Sequence, residues 1–299
     1  MSVDLRLRDF VNGLKEERTI VHLIGFPCDR GVILNGGREG AAKAPDLIRA
    51  ALFNMTPHTA YYEKHTNLLE KVFDTGHIPC ADDVENNQER LANTVEKKLN
   101  KGKIPLIIGG GHETAFGHFL GYAQAKKDVT IINIDAHTDV RPLKDGKPHS
   151  GSPFRQAFEH SSSVCKDYHV FGLNPATVAF KHYNLVKQHG GTAHFAHEIS
   201  KNTILRHLED AKNNIMVTMD MDAVNQSEAP GVSAPNTSGL SKDLWLDLAL
   251  EFGRNEKVTS FDLCEVNPVY DRDNQTVRLA ALTIWYFLLG LSLRGRLVV

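Results

Sequence analysis

The sequence lacks what would tie it to a membrane, a nucleic acid or an oxidising compartment. No apolar run reaches the ~20 residues needed to span a bilayer. The longest, from Leu279 to Leu293, reads as a buried C-terminal helix. Cysteine is scarce: Cys28, Cys80, Cys165 and Cys264 lie far apart with no C-x-x-C pair, so neither a zinc ribbon nor a disulfide framework is indicated. There is no excess of basic charge. The formal net charge is -2, without a long basic run or aromatic–basic interleaving, which removes the case for nucleic-acid or anionic-membrane partners. The opening stretch, Met1-Ser-Val-Asp-Leu-Arg6, is charged early and has no apolar core, unlike a secretory signal. These absences together point to a cytoplasmic protein.

The composition is that of a globular chain, 41% apolar and 23% charged, and 299 residues suffice for one large α/β domain or two ordinary ones. Short β-branched apolar runs predict strands near residues 20–26, 69–73, 105–108, 129–134, 169–171, 192–195, 215–219 and 258–263. Helical patterns fall between them at 83–100, 114–126, 200–213, 241–253 and 275–291, with Ser200 and Ser241 as N-caps. Such alternation predicts a mostly parallel sheet covered on both faces. No linker or internal repeat divides the chain, so a single domain over 1–299 is expected. Ligands of such sheets bind outside the carboxyl ends of the strands.

Acidic and imidazole groups gather at those ends. Asn133-Ile-Asp135-Ala-His137-Thr-Asp139 follows one apolar run, and Met219-Asp220-Met-Asp222 follows another. Residues two apart in a strand point the same way, so each string is expected to aim its side chains at one place. A third strand leads into Gly109-Gly-Gly-His112-Glu113, where glycine permits close backbone approach. Buried carboxylates need a counter-charge. Two histidines and four aspartates exceed what one tetrahedral zinc uses and suit a pair of Mn²⁺ ions. A single string of this kind reads more readily as a turn with a helix cap or a surface hydrogen-bond network.

The strings Gly-Gly-Gly-His112-Glu, Asp135-Ala-His137-Thr-Asp139, Met-Asp220-Met-Asp222-Ala and Glu265-Val-Asn-Pro268 together resemble the arginase–agmatinase (ureohydrolase) family, in its order and spacing, from about Val21 onward. The resemblance implies a three-layer arginase-like α/β fold with an eight-stranded, mostly parallel sheet. It implies two Mn²⁺ per chain, one on His112, Asp135, Asp139 and Asp220, the other on His137, Asp135, Asp220 and Asp222. It also implies a homo-oligomer, a trimer or hexamer. In such a site two divalent ions lower the pKa of a shared water, and the hydroxide attacks a planar carbon bonded to nitrogen. Asp139 is expected to accept a hydrogen bond from that nucleophile, and Glu265 to hold the cationic C–N group.

His149 is a candidate proton shuttle, although the family's shuttle position falls on Phe154 or begins at Ser150; a loop histidine without catalytic importance is the competing reading. Asp139-Val-Arg141, then Ser150-Gly-Ser152-Pro-Phe-Arg155-Gln, looks like the formimidoylglutamase branch of the family, where arginases have asparagine in place of Arg141. So do the stretches Cys28 to Pro45 and Tyr270 to Ala280. That branch implies hydrolysis of N-formimidoyl-L-glutamate, a small anionic amino-acid derivative, to L-glutamate and formamide in histidine degradation. Arg141, Arg155, Ser150, Ser152 and Asn174 are then expected substrate contacts alongside Glu265, with Arg38 a structural pairing residue. Three rivals stand beside this: another ureohydrolase acting on arginine, agmatine or a guanidino acid, a zinc-dependent deacetylase, and a silent metal-binding member.

Overall fold

Eight parallel strands form the middle layer: β1 (Val21–Phe26), β2 (Val72–His77), β3 (Ile104–Gly109), β4 (Val129–Ile134), β5 (Cys165–Leu173), β6 (Thr192–Phe195), β7 (Asn214–Asp220) and β8 (Val258–Cys264). The computed structural model describes residues 4–295, so Met1 to Val3, part of the stretch read against a leader, lie outside the described residues. The strand order is β2-β1-β3-β8-β7-β4-β5-β6, every pair parallel. Parallel neighbours need crossovers, and ten helices supply most of them among the described residues: α1 (Arg30–Leu34), α2 (Ala44–Phe53), α3 (Tyr62–Leu69), α4 (Val84–Asn100), α5 (Thr114–Ala125), α6 (Pro153–Glu159), α7 (Phe180–Gln188), α8 (Lys201–Asp210), α9 (Lys242–Arg254) and α10 (Gln275–Ser292).

The strands alternate in facing two apolar cores. In β4, Ile132 and Ile134 join the core that also holds Trp245, Phe252, Phe261 and Phe287. Val129 and Ile131 join the other, with Phe119, Tyr122 and Phe154. α10 packs on α2, α3 and α9 over the first face, while α4 and α5 pair over the second. The predicted caps form: Ser200 accepts from the backbone N–H of Thr203 and Ser241 from that of Leu244, both at 3.3 Å. No helix among the described residues is long and apolar enough to cross a membrane.

The second strand departs from the sequence reading. It begins at Val72 rather than at residue 69, because Leu68 and Leu69 are buried as the last turn of α3. Helices α1, α2, α3, α6 and α7 are also additional to the sequence reading. Two of them start with proline in their first turn, Pro45 in α2 and Pro153 in α6, a position where the missing N–H costs nothing.

The four strands that end in the acidic strings are neighbours: β3, β8, β7 and β4 are consecutive at the centre of the sheet. Their carboxyl ends therefore meet at one place, although their residues come from positions 109 to 265 of the sequence.

Candidate metal centre

The path into the site depends on glycine. After β3, the N–H of Gly111 donates to the carbonyl of Cys28 at 2.8 Å, and the N–H of Glu265 donates to the carbonyl of Gly110 at 2.7 Å. A Cβ on Gly110 would fall on the Cys28 carbonyl, so no other residue permits this approach. His112 is thereby carried over the ends of β7 and β4. Its Nδ1 lies 3.0 Å from Asp139 Oδ2, 3.1 Å from Asp220 Oδ2 and 3.2 Å from Asp135 Oδ2.

The remaining residues converge, but not by strand alternation. β4 stops at Ile134, and residues 135–139 loop over its end. The N–H of His137 donates to Asp135 Oδ1 at 2.6 Å, and Asp139 sits at φ 46°, a left-handed conformation unusual for a residue with a side chain. β7 ends on Asp220, whose Oδ1 accepts from the N–H of Asp222 at 2.8 Å and so starts a single 3-10 turn, Met221–Ala223. That turn aims Asp222 Oδ2 at His137 Nδ1, 3.0 Å away, with Asp135 Oδ1 at 3.5 Å. Glu265 is a second non-glycine residue with positive φ, 66°, and its Oε1 accepts from the N–H of His112 at 2.8 Å. Strain held at such positions clusters at working sites.

Two ligand sets result. His112, Asp135, Asp139 and Asp220 bring one atom each to within 4.8 Å of one another, and Asp135, His137 and Asp222 do the same. Asp135 belongs to both. All six expected residues are thus brought together, but Asp220 faces only the first set.

The electrostatics are those of a site built around positive charge. Burial opposes a charged ring at His112, yet Asp135, Asp139 and Asp220 hold it well above the ordinary imidazole range. Asp222, against the cost of burial, and then Asp135 do the same for His137. Burial opposes ionisation of Asp135, but the two histidines pull it low. Burial, with Asp222 and Asp135 nearby, drives Asp220 well up, and burial with Asp135 raises Asp139. Without a cation these groups share protons. Divalent cations fit the oxygen-rich donor set in place of those protons. Burial, with Glu113 and Asp222 alongside, pushes Glu265 up to about 8.

A cavity of about 280 Å³ opens beside the cluster, and His137, Asp139, Asp220, Asp222 and Glu265 form its floor. Arg141 and Ser150 line its wall, as the sequence reading expects. The other expected contacts are elsewhere. Arg155 pairs with Glu159 one helical turn on, at 2.8 Å, and does not line the cavity. Ser152 is buried in the turn before α6, its hydroxyl donating to the His149 carbonyl at 2.9 Å. Asn174 donates to Asn236 Oδ1 at 3.0 Å, beyond the cavity lining. The ring of His149 is spent on its own loop: Nε2 lies 3.0 Å from the Pro142 carbonyl, and Nδ1 accepts from the N–H of Gly151 at 3.1 Å. Burial lowers its pKa, and His149 is not among the residues that line the cavity.

Sequence reasoning overlooked Asn35, the residue that follows α1. Its Oδ1 accepts from Arg141 Nη1 and its Nδ2 donates to Ser150 Oγ, both at 3.1 Å, so it ties together the two wall residues. The signal was present, since Asn35 stands in the stretch from Cys28 to Pro45, but only the fold places it opposite Arg141. Arg38 lines the same cavity and is held by the Val232 and Ser233 carbonyls and the face of Tyr270, in keeping with a structural role. Replacing Asn35 with alanine is expected to raise KM by about 2- to 10-fold, the net worth of a typical hydrogen bond, with metal content unchanged. Steady-state kinetics with metal analysis check this.

Residues 19–290 match the model of the arginase family. A formimidoylglutamase of Geobacillus sp. (strain WCH70) is 37% identical over 287 residues, covering 93% of this chain and 85% of that one. A formimidoylglutamase of Geobacillus thermodenitrificans is 38% identical over 290 residues, with 93% and 86% coverage. Among solved structures, the Trypanosoma cruzi formiminoglutamase with Mn²⁺ superposes with a TM-score of 0.90 at 32% identity, covering 98% of this chain and 100% of that one.

Proposed function

The chain belongs to the arginase family, and from that premise we propose that it hydrolyses N-formimidoyl-L-glutamate to L-glutamate and formamide, as a step in histidine degradation, using two Mn²⁺ ions. The observation that carries this reading is the doubled His/Asp cluster sharing Asp135 beneath a cavity that sets Arg141 against Glu265. When bound, two such ions would offset the aspartate charges and bring the pKa of a shared water toward neutrality. His112, Asp135, Asp139 and Asp220 would hold one, and His137, Asp135 and Asp222 the other, with Asp220 the further bridge that the family pattern gives.

The chain's own side chains supply the rest. Arg141 presents a guanidinium fork to a substrate carboxylate, and Asn35 and Ser150 keep that fork on the wall. Glu265, anchored through Oε1 on the His112 N–H, turns its remaining oxygen to the amidine nitrogen. A cation there favours the ionised form of a carboxyl that burial otherwise keeps neutral. Water adds to the formimidoyl carbon, the bond from that carbon to the glutamate nitrogen breaks, and a proton passes to the departing nitrogen. Asp139, at the cavity floor, would take the proton from water and return it. In the same reading the protein is a single catalytic unit, a cytoplasmic homo-oligomer, which light scattering on the purified chain checks.

The deciding assay compares glutamate release from formimidoylglutamate with urea release from arginine and agmatine, in protein replete with Mn²⁺. Urea as the main product, or a single Zn²⁺ per chain as the active form, overturns the proposal.

Acidity provides a further test. In the metal-free chain His112, His137 and Glu265 all have folded-state pKa values above their unfolded ones. Each contributes stability that is complete below its unfolded pKa and lost as pH rises through its folded one. For Glu265 that window runs from ~4.3 to about 8, and for the histidines it starts near ~6.5 and extends upward. Asp135, lowered, has the opposite sign but completes its change at far lower pH. The Tm of metal-free protein is therefore expected to fall between about pH 6 and 9, while the rise in Tm on adding Mn²⁺ grows over the same range, because the ions displace these protons. Calorimetry with and without Mn²⁺ measures both, and a Mn²⁺ increment that shrinks with pH contradicts the assignment.

A further inference from the structure

A string of polar side chains runs from the cluster into the buried layer between β7, β8 and α5, away from the cavity. His112 Nε2 lies 2.9 Å from Thr218 Oγ1, and that hydroxyl donates to Asp262 Oδ1 at 2.8 Å. Cys264 Sγ also donates to Asp262 Oδ1, at 3.2 Å, and His118 Nδ1 lies 2.6 Å from Oδ2. Beyond, His118 Nε2 is 2.6 Å from Ser260 Oγ, which is 2.6 Å from the hydroxyl of Tyr122. His118, Thr218, Ser260, Asp262 and Tyr122 are all fully buried, and none lines the cavity. The mechanism above uses none of them, yet burying so many polar groups is costly unless every bond is made.

With Asp262 as a carboxylate, the proton count along this string has one solution. A threonine hydroxyl has a single proton to give, and a carboxylate only accepts. Asp262 receives donors from three sides, Thr218, Cys264 and His118, as a carboxylate does. Thr218 has thus spent its proton on Asp262 and faces His112 with lone pairs. Nε2 of His112 must then carry a proton. The nitrogen left free to lose one is Nδ1, the atom 3.0 to 3.2 Å from three aspartates. We propose that Thr218, held by Asp262, is a positioning residue that keeps a proton on Nε2 of His112 and so reserves Nδ1 for a divalent cation. His118, backed by Ser260 and Tyr122, keeps the Asp262 carboxylate from turning. The part concerning the cation rests on the metal reading above; the part concerning the proton does not.

Two measurements on the whole chain test this. In metal-free protein labelled with ¹⁵N-histidine, His112 is expected to show an Nε2–H protected from exchange, assigned by its absence from a His112→Asn variant. The protection should vanish in Thr218→Val and persist in Thr218→Ser. In Mn²⁺ titrations read by electron paramagnetic resonance, Thr218→Val should bind the ion served by His112 roughly 10- to 100-fold more weakly. The ion on His137 and Asp222 should keep its wild-type affinity, and Thr218→Ser should restore the first. A role confined to packing would lower Tm without separating the two ions. An unprotected Nε2 in the wild type overturns the proposal even if the valine variant does not fold, and so does a folded Thr218→Val with both ions at wild-type affinity. A wild type that takes up no Mn²⁺ sinks the metal reading instead, and the imidazole signal then decides the inference alone.

Discussion

Replacing Asp135 with alanine is expected to cost on the order of 10⁴-fold or more in turnover, comparable to removing one member of a unit that acts together. Among the described residues, Asp135 alone stands in both ligand sets. It is fully buried, with Oδ1 on the His137 N–H at 2.6 Å and Oδ2 on Asn133 Nδ2 at 3.1 Å, so its orientation is set by the protein rather than by whatever it binds. Tyr168 extends this support, accepting from Asn133 Nδ2 and donating to the Thr138 carbonyl. Truncating Asp135 removes one donor from each set and leaves His112 and His137 without the carboxylate they share. Both ions should weaken together, unlike the one-sided loss expected for Thr218→Val. Kinetics paired with metal analysis would show this, and a variant with wild-type turnover and full metal content would falsify the shared role.

Arg141→Ala is expected to lower kcat/KM by about 10- to 150-fold, nearly all of it in KM, with metal content unchanged. The range is the ~1.5–3 kcal/mol typical of a hydrogen bond to a charged group. Arg141 is exposed on the cavity wall, and among the described residues its side chain makes no hydrogen bond or ion pair with the ligand residues; Nη1 donates to Asn35. A group that grips substrate away from the reacting carbon binds ground state and transition state alike, so KM moves and kcat does not. Lysine at this position should recover only part of the loss, because an ammonium lacks the planar fork. An unchanged KM removes Arg141 from substrate recognition.

The sheet and the acidic cluster were legible because buried parallel strands read as short β-branched runs, and seven of the eight predicted strands fall on observed ones. The second slipped because Leu68 and Leu69 are as apolar as a strand and only packing makes them helix. The short helices escaped because five to ten residues carry too few turns for a periodic signal. Within the cluster the residues were found through the assumption that alternate positions point one way, whereas a loop at Asp139 and a 3-10 turn after Asp220 actually do the aiming. The substrate wall was legible only in part. Arg155 and Asn174 looked basic or polar in the right stretch, but whether such a side chain faces the cavity or pairs on the surface depends on its neighbours in space. Asn35, 106 residues from Arg141, had no local signal to connect it.

The strand order also fixes when the protein can first capture a cation. β3, which delivers His112, and β7, which delivers Asp220, are separated by β8, which follows both in the chain. Until β8 is inserted, nothing sets the gap between those two side chains. A chain that has not yet inserted β8 can therefore gather Asp135, His137 and Asp222 across the β4–β7 pair but cannot bring His112 to them, so the two sets are completed one after the other. Removing β8 should therefore cost the set that contains His112 while sparing the set of Asp135, His137 and Asp222.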